Sequence, residues 1–110
     1  MTNLVARTHN ATGNAAAALL LMRIAHWMPK ATREFGGHLW ITKAAKDWCA
    51  ETAMSLEQYK TAVARLRRLR LVITEQHKFG EQTITHLRLT NAGRQVVGLQ
   101  AAPGKPGGQP

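Results

Sequence analysis

Apolar positions recur at helical spacing along the first two thirds of the chain and change to a β-rich pattern after residue 70. Residues 1–13 are mixed and polar, and Asn10, Thr12 and Gly13 discourage regular structure, so a flexible N-terminal segment is expected there. Asn14 is placed to cap a helix from Ala15 to Met28, which Pro29 stops. Leu19, Leu20, Leu21, Ile24, Ala25, Trp27 and Met28 cover nearly its whole circumference. That pattern suits a helix buried on more than one side, or one half of a dimer interface. The charged stretch from Lys30 to Gly37 ends in Gly36-Gly37 and reads as a loop, followed by a short extended piece, His38 to Ile41. Thr42 is expected to cap a second helix over Lys43 to Thr52, with Ala45, Trp48 and Cys49 on one face, and Ala53-Met54 is then a tight connection.

Ser55 followed by Gln58 is a capping-box pattern that opens a third helix reaching to about Arg70. Tyr59, Ala62, Val63, Leu66 and Leu69 form its core stripe, and Gln58, Thr61, Arg65 and Arg68 an outward one. Residues 71–74 and 83–89 are rich in β-formers, and the Phe79-Gly80-Glu81-Gln82 turn between them makes a hairpin. Thr90 or Asn91 is placed to cap a last short helix, Ala92 to Leu99. Residues 100–110 are rich in Pro, Gly and Gln and are expected to be a disordered tail, leaving one domain over 14–99.

Composition narrows the classes. A chain of 110 residues holds one core, and with 45% hydrophobic but only 5% aromatic residues that core is aliphatic, anchored by Trp27, Trp40 and Trp48. A net charge of +9 favours polyanionic partners and salt-sensitive association. Five basic residues and no acid lie between Lys60 and Arg70, whereas a merely soluble face mixes signs. The single cysteine, Cys49, allows no internal disulfide, which points to a reducing, cytoplasmic setting. The apolar run Ala15 to Met22 is far short of a membrane span. His9, His26, His38, His77 and His86 lack metal-ligand spacing, and Ser55, the only serine, serves better as a cap than as a nucleophile. With Asp47 the only aspartate, no paired glutamates and no phosphate-binding glycine loop, the sequence argues against an enzyme and calls for no metal or cofactor.

The order of elements is helix, short strand, helix, tight turn, basic helix, hairpin and short helix. From His38 to Arg94 the chain resembles winged-helix regulators and the winged-helix domains of plasmid and phage replication proteins. The stretches that carry the likeness are Trp40-Ile41-Thr42-Lys43 running into Asp47-Trp48, then Met54-Ser55-Leu56-Glu57-Gln58, Leu66 to Ile73, and Leu89-Thr90-Asn91-Ala92-Gly93-Arg94. The family commonly has glycine just after the recognition helix, where this chain has Arg70. The resemblance implies an α+β winged helix-turn-helix that binds double-stranded DNA, with the third helix in the major groove. Gln58 is then matched to adenine, Arg65 to guanine and Thr61 to a thymine methyl, with Ser55 at a phosphate by the helix N-terminus. Lys60, Arg67 and Arg68 would contact the backbone, joined by Lys78 and Gln82 from the hairpin. The expected role is a transcription regulator or replication accessory factor from a mobile element, dimeric through helix 14–28. The alternative is a protein- or ribonucleoprotein-binding module, such as a phage- or plasmid-encoded inhibitor of host defence of the anti-CRISPR type. A purely structural adaptor is a third reading, marked by no more than nonspecific duplex affinity.

Overall fold

A computed structural model describes residues 4–100. It is α+β, with five α-helices and a four-stranded antiparallel sheet among those residues. In chain order they are α1 (Leu4–Thr12), α2 (Ala15–Trp27), a 3-10 turn (Met28–Lys30), β1 (Arg33–Phe35), β2 (His38–Thr42) and α3 (Ala45–Thr52), then α4 (Leu56–Arg68), β3 (Val72–Phe79), β4 (Gln82–Leu89) and α5 (Asn91–Val96). No helix of the described residues is long and apolar enough to cross a membrane. The expected disordered tail lies, apart from Gln100, outside the described residues.

Helix α1 corrects the expectation of an irregular N-terminal segment. Its buried positions are Thr8 and Thr12, whose side chains look polar in the sequence. Thr8 Oγ1 donates to the Leu4 carbonyl at 2.9 Å, and Thr12 Oγ1 to the Thr8 carbonyl at 2.8 Å. With each hydroxyl returned to its own helix, the threonines pack as small residues at no cost in unmet hydrogen bonds. Arg7 then ties α1 to α5, its Nε donating to the Val96 carbonyl at 2.7 Å.

Asn14 caps α2 as its sequence predicts, accepting from the Ala17 N–H at 3.0 Å. Leu20, Leu21 and Ile24 are fully buried in a core shared with Tyr59, Ala62 and Leu66 of α4 and with Leu87 and Leu89 of β4. These side chains are spent on the chain's own interior, so they do not supply the expected dimer surface. Trp48 anchors this core, Trp40 is buried but on the other face of the sheet, and Trp27 is only half-buried.

The stretch expected to be a loop contains β1, which pairs with β2 around Gly36-Gly37, both at positive φ (59° and 81°). Thr42 is not the cap of α3. It belongs to β2, opposite His86, and α3 starts two residues later than expected, behind Ala44 and without a side-chain cap. Strands β3 and β4 are longer than the hydrophobic runs that announced them, and meet in a two-residue turn at Gly80-Glu81. Ile41, Val72, Leu87 and Leu89 face the helices; Trp40, His86 and Arg88 lie on the opposite face. Thr90 caps α5, accepting from the Gly93 N–H at 3.0 Å. That helix is shorter than the sequence pattern suggested, ending at Val96. Gly93 is required by close approach, since a Cβ there would lie 2.1 Å from the Leu71 carbonyl oxygen.

The basic helix ends by a left-handed residue that is not glycine. Arg70 has φ 60°, its N–H bonds to the Arg67 carbonyl at 2.9 Å, and the Leu71 N–H reaches back to Leu66 at 3.0 Å. This is the Schellman arrangement, with Leu71 and Leu66 both buried beneath it. Leu69, expected in the core stripe, caps this end and is 41% exposed. Because a side chain at positive φ is strained, Arg70→Gly is expected to stabilise the fold by about 0.5–1 kcal/mol. The check is a higher urea midpoint at unchanged slope.

Candidate functional site

Helix α4 begins where the sequence says it should. Ser55 Oγ accepts from the Gln58 N–H at 3.1 Å, and Gln58 Oε1 accepts from the Ser55 N–H at 2.8 Å. The reciprocal bonds satisfy two helix-end donors at once. They also commit the carbonyl oxygen of Gln58, one half of the pair it would need for a bidentate contact with adenine.

The faces of α4 are rotated from the expected ones. At 100° per residue, Glu57, Thr61, Ala64 and Arg68 form the row furthest from the buried Tyr59, Ala62 and Leu66, and all four are exposed. Lys60 and Arg67 stand on the flank towards the β3–β4 hairpin, also exposed. Arg65 is on the other flank and half-buried, its Nε donating to the Thr12 carbonyl at 2.5 Å. Its guanidinium also crosses Gly13, where a Cβ would lie 2.9 Å from Nη2. Arg65 was expected to read guanine, but it ties α4 to the α1–α2 junction. The sequence could not reveal this, because the acceptor is a backbone carbonyl 53 residues away.

Between α4, the start of α3 and the hairpin runs a groove of about 650 Å³. Lys60 and Arg67 line its helical wall, with Tyr59 and Val63 below. The hairpin wall is mostly neutral and polar, with Thr74 and Gln76 from β3 and Gln82, Thr83 and Thr85 from β4, besides Ile84 and one acid, Glu75. Cross-strand pairing explains this wall. The face that carries Val72 opposite Leu89 at the core end carries Gln76 opposite Thr85 and Lys78 opposite Thr83 towards the tip. The sequence reading ended the first strand at Thr74 and so missed this row. Residues 74–78 are all polar, so no apolar alternation marked the strand's continuation. Burial pushes the Tyr59 hydroxyl up to about 12, so it stays neutral beneath the groove. Glu75 also lines the groove, and its carboxylate bonds His77 Nε2 at 2.8 Å.

A second cluster decides which cations are engaged elsewhere. Glu51 of α3 accepts from Arg23 Nη2 at 2.6 Å and from the Trp27 indole N–H at 2.8 Å, and it pairs with Lys43. Lys43 Nζ also lies 4.2 Å from the Trp27 ring centre. Burial alone would raise the Glu51 carboxyl, but the bonds from Lys43, Trp27 and Arg23 outweigh it and hold the group at about 2. Arg23 and Lys43 thereby join α2 to α3. No ion pair among the described residues engages Lys60, Arg67 or Arg68.

Of the residues singled out from sequence, Lys60, Arg67 and Gln82 are thus gathered on one groove, with Thr61 and Arg68 on the adjoining outward row. Lys78 is exposed near the hairpin tip, Ser55 and Gln58 cap the helix, and Arg65 faces away. No family model, curated protein or solved structure matches the chain.

Two outcomes are expected. Arg65→Ala removes a charged hydrogen bond between helices, and chemical denaturation should show a loss of about 1.5–3 kcal/mol. The Glu51 carboxyl is depressed from 4.5 to about 2, so its stabilising contribution is complete above pH 4.5 and drains away as pH falls towards 2. Urea midpoints measured from pH 6 to pH 2 should therefore fall less steeply in Glu51→Gln than in the wild type.

Proposed function

We propose that the chain is a winged-helix nucleic-acid-binding protein that applies α4 and the β3–β4 hairpin to duplex DNA. What carries this reading is the composition of one continuous face. Lys60, Arg67 and Arg68 stand exposed and without carboxylate partners beside a hairpin wall of hydroxyls and amides. Cations on one wall and mostly neutral hydrogen-bonding groups on the other, where the one carboxylate, Glu75, is bonded to His77, suit a polyanionic backbone, and a net charge of +9 adds long-range attraction. The topology is compatible with it: two helices joined by a tight turn, then a hairpin whose second strand pairs with β2.

In this arrangement Lys60 and Arg67 neutralise phosphates, while Thr61 and Arg68 on the outward row of α4 meet base edges. Ser55 and Gln58 hold the start of the helix in shape, and Lys78 and Gln82 contribute from the hairpin. A transcription regulator or a replication accessory factor is the role that such a face serves.

Fluorescence anisotropy with a random-sequence duplex tests the proposal. Binding should weaken steeply with salt, and Lys60→Gln/Arg67→Gln should lower the slope of log K against log salt by about 2, roughly 1 for each phosphate contact removed. Absence of duplex binding even at low salt would overturn the reading in favour of a protein or ribonucleoprotein partner.

A further inference from the structure

The distal half of the β3–β4 hairpin lacks a third strand. Pairing of β2 with β4 is confined to Ile41 opposite Leu87 and Thr42 opposite His86, so the ribbon from Gln76 to Thr85 extends past it. A two-stranded ribbon is marginally stable in water and free to twist. Yet this ribbon forms one wall of the groove.

Its support comes from the far edge of the sheet. Strand order is β1-β2-β4-β3, which places β1 and β3 about 14 Å apart in a flat sheet, three strand spacings. Instead the Phe35 ring of β1 stacks on His77 of β3, with centres 3.9 Å apart and planes within 2°. Arg33 Nη2 donates to the Lys78 carbonyl at 3.2 Å, one residue further towards the tip. The sheet is therefore rolled until its two edges touch. Inside the roll lie Trp40, 2% exposed, and His86, fully buried. Trp40 Nε1 donates to the Phe35 carbonyl at 3.1 Å, and His86 meets both Phe35 and His77 edge-on, with centres 5.4 and 5.2 Å away. The four rings form a small second core on the face away from the helices.

We propose that the β1–β2 hairpin is a strap that sets the angle of the wing against α4, with Phe35 and Arg33 as positioning residues for the nucleic-acid face. This rests on the proposed function for its consequence, but not for its mechanics. Phe35 fixes the ribbon through the ring of His77, and Arg33 fixes it through the backbone of Lys78. Together they hold the hydroxyl and amide wall at a set distance from Lys60 and Arg67.

Amide hydrogen exchange, read alongside duplex anisotropy, separates the mechanics from the function. In Phe35→Ala, exchange of the amides from Gln76 to Thr83 should accelerate about tenfold or more while α2 and α4 keep their protection. Duplex affinity should fall about tenfold, and Phe35→Tyr, which keeps the ring, should restore both readouts. Arg33→Gln removes the bond to the Lys78 carbonyl and the guanidinium over the Phe35 ring but leaves the Phe35–His77 stack, and should give a smaller change in the same segment, which keeps the test open if Phe35→Ala does not fold. Unchanged exchange in the ribbon of a folded variant overturns the strap, and so does acceleration spread evenly over the whole chain. If the wild type binds no duplex at low salt, the functional reading fails alone, and the exchange pattern still decides the strap.

Discussion

Burial of Leu20, Leu21 and Ile24 at the centre of the molecule is the constraint on which the other elements depend. These three aliphatic side chains of α2 pack in one core with Tyr59, Ala62 and Leu66 of α4 and with Leu87 and Leu89 of β4, so helix and hairpin are referenced to the same apolar surface. Removing side chains of this size from water contributes about 1.5–3 kcal/mol each, more than any single polar contact on the surface. The groove exists because α4 and the hairpin are held by this core at one end and diverge from it at the other. Towards the divergent end the hairpin face changes from leucine and valine to threonine and glutamine, as it must once water reaches it.

Cations in this protein divide into two populations by what they touch. Arg7, Arg23, Lys43 and Arg65 reach backbone carbonyls or the Glu51 carboxylate and join elements distant in sequence. Lys60, Arg67 and Arg68 meet no carboxylate among the described residues and remain exposed along α4. The second group keeps its charge available to a polyanion, as does exposed Lys78 on the hairpin. A count of basic residues along the sequence cannot make this division, because a guanidinium donates equally well to a phosphate or to a peptide carbonyl.

Left-handed backbone marks the places where the chain must reverse at the site. Ala53 at the end of α3 and Arg70 at the end of α4 both have positive φ without being glycine, at 57° and 60°. Each is held by the carbonyl contacts of the helix it terminates: Met54 returns to Cys49, and Leu71 returns to Leu66. The sequence flagged position 70 as unusual for lacking glycine. The structure shows that the conformation persists because buried Leu71 and Leu66 fix the chain on either side of it.

What was legible in the sequence is what depends on neighbours a few residues apart. The caps at Asn14, Ser55 and Thr90, the core stripe of α4 through Tyr59, Ala62 and Leu66, and the Gly80 turn all rest on contacts within one turn of chain. Helix α1 escaped because buried threonines that bond their own helix carry no hydrophobic period. Strand β1 escaped because three residues beside two glycines are too short to show alternation. The outward face of α4 was only approximately placed, since a 100° step gives the order of residues around a helix but not which flank another element covers. That Arg65 turns to Thr12, that Lys60 and Arg67 face a wall of threonines, and that Phe35 crosses the sheet to His77 were decided by tertiary structure alone. Arg65 and Thr12 are 53 positions apart, Phe35 and His77 stand on opposite sheet edges, and Lys60 and Arg67 meet the threonines only because the hairpin folds back beside α4; such pairings follow from how the whole core closes, which no local pattern encodes.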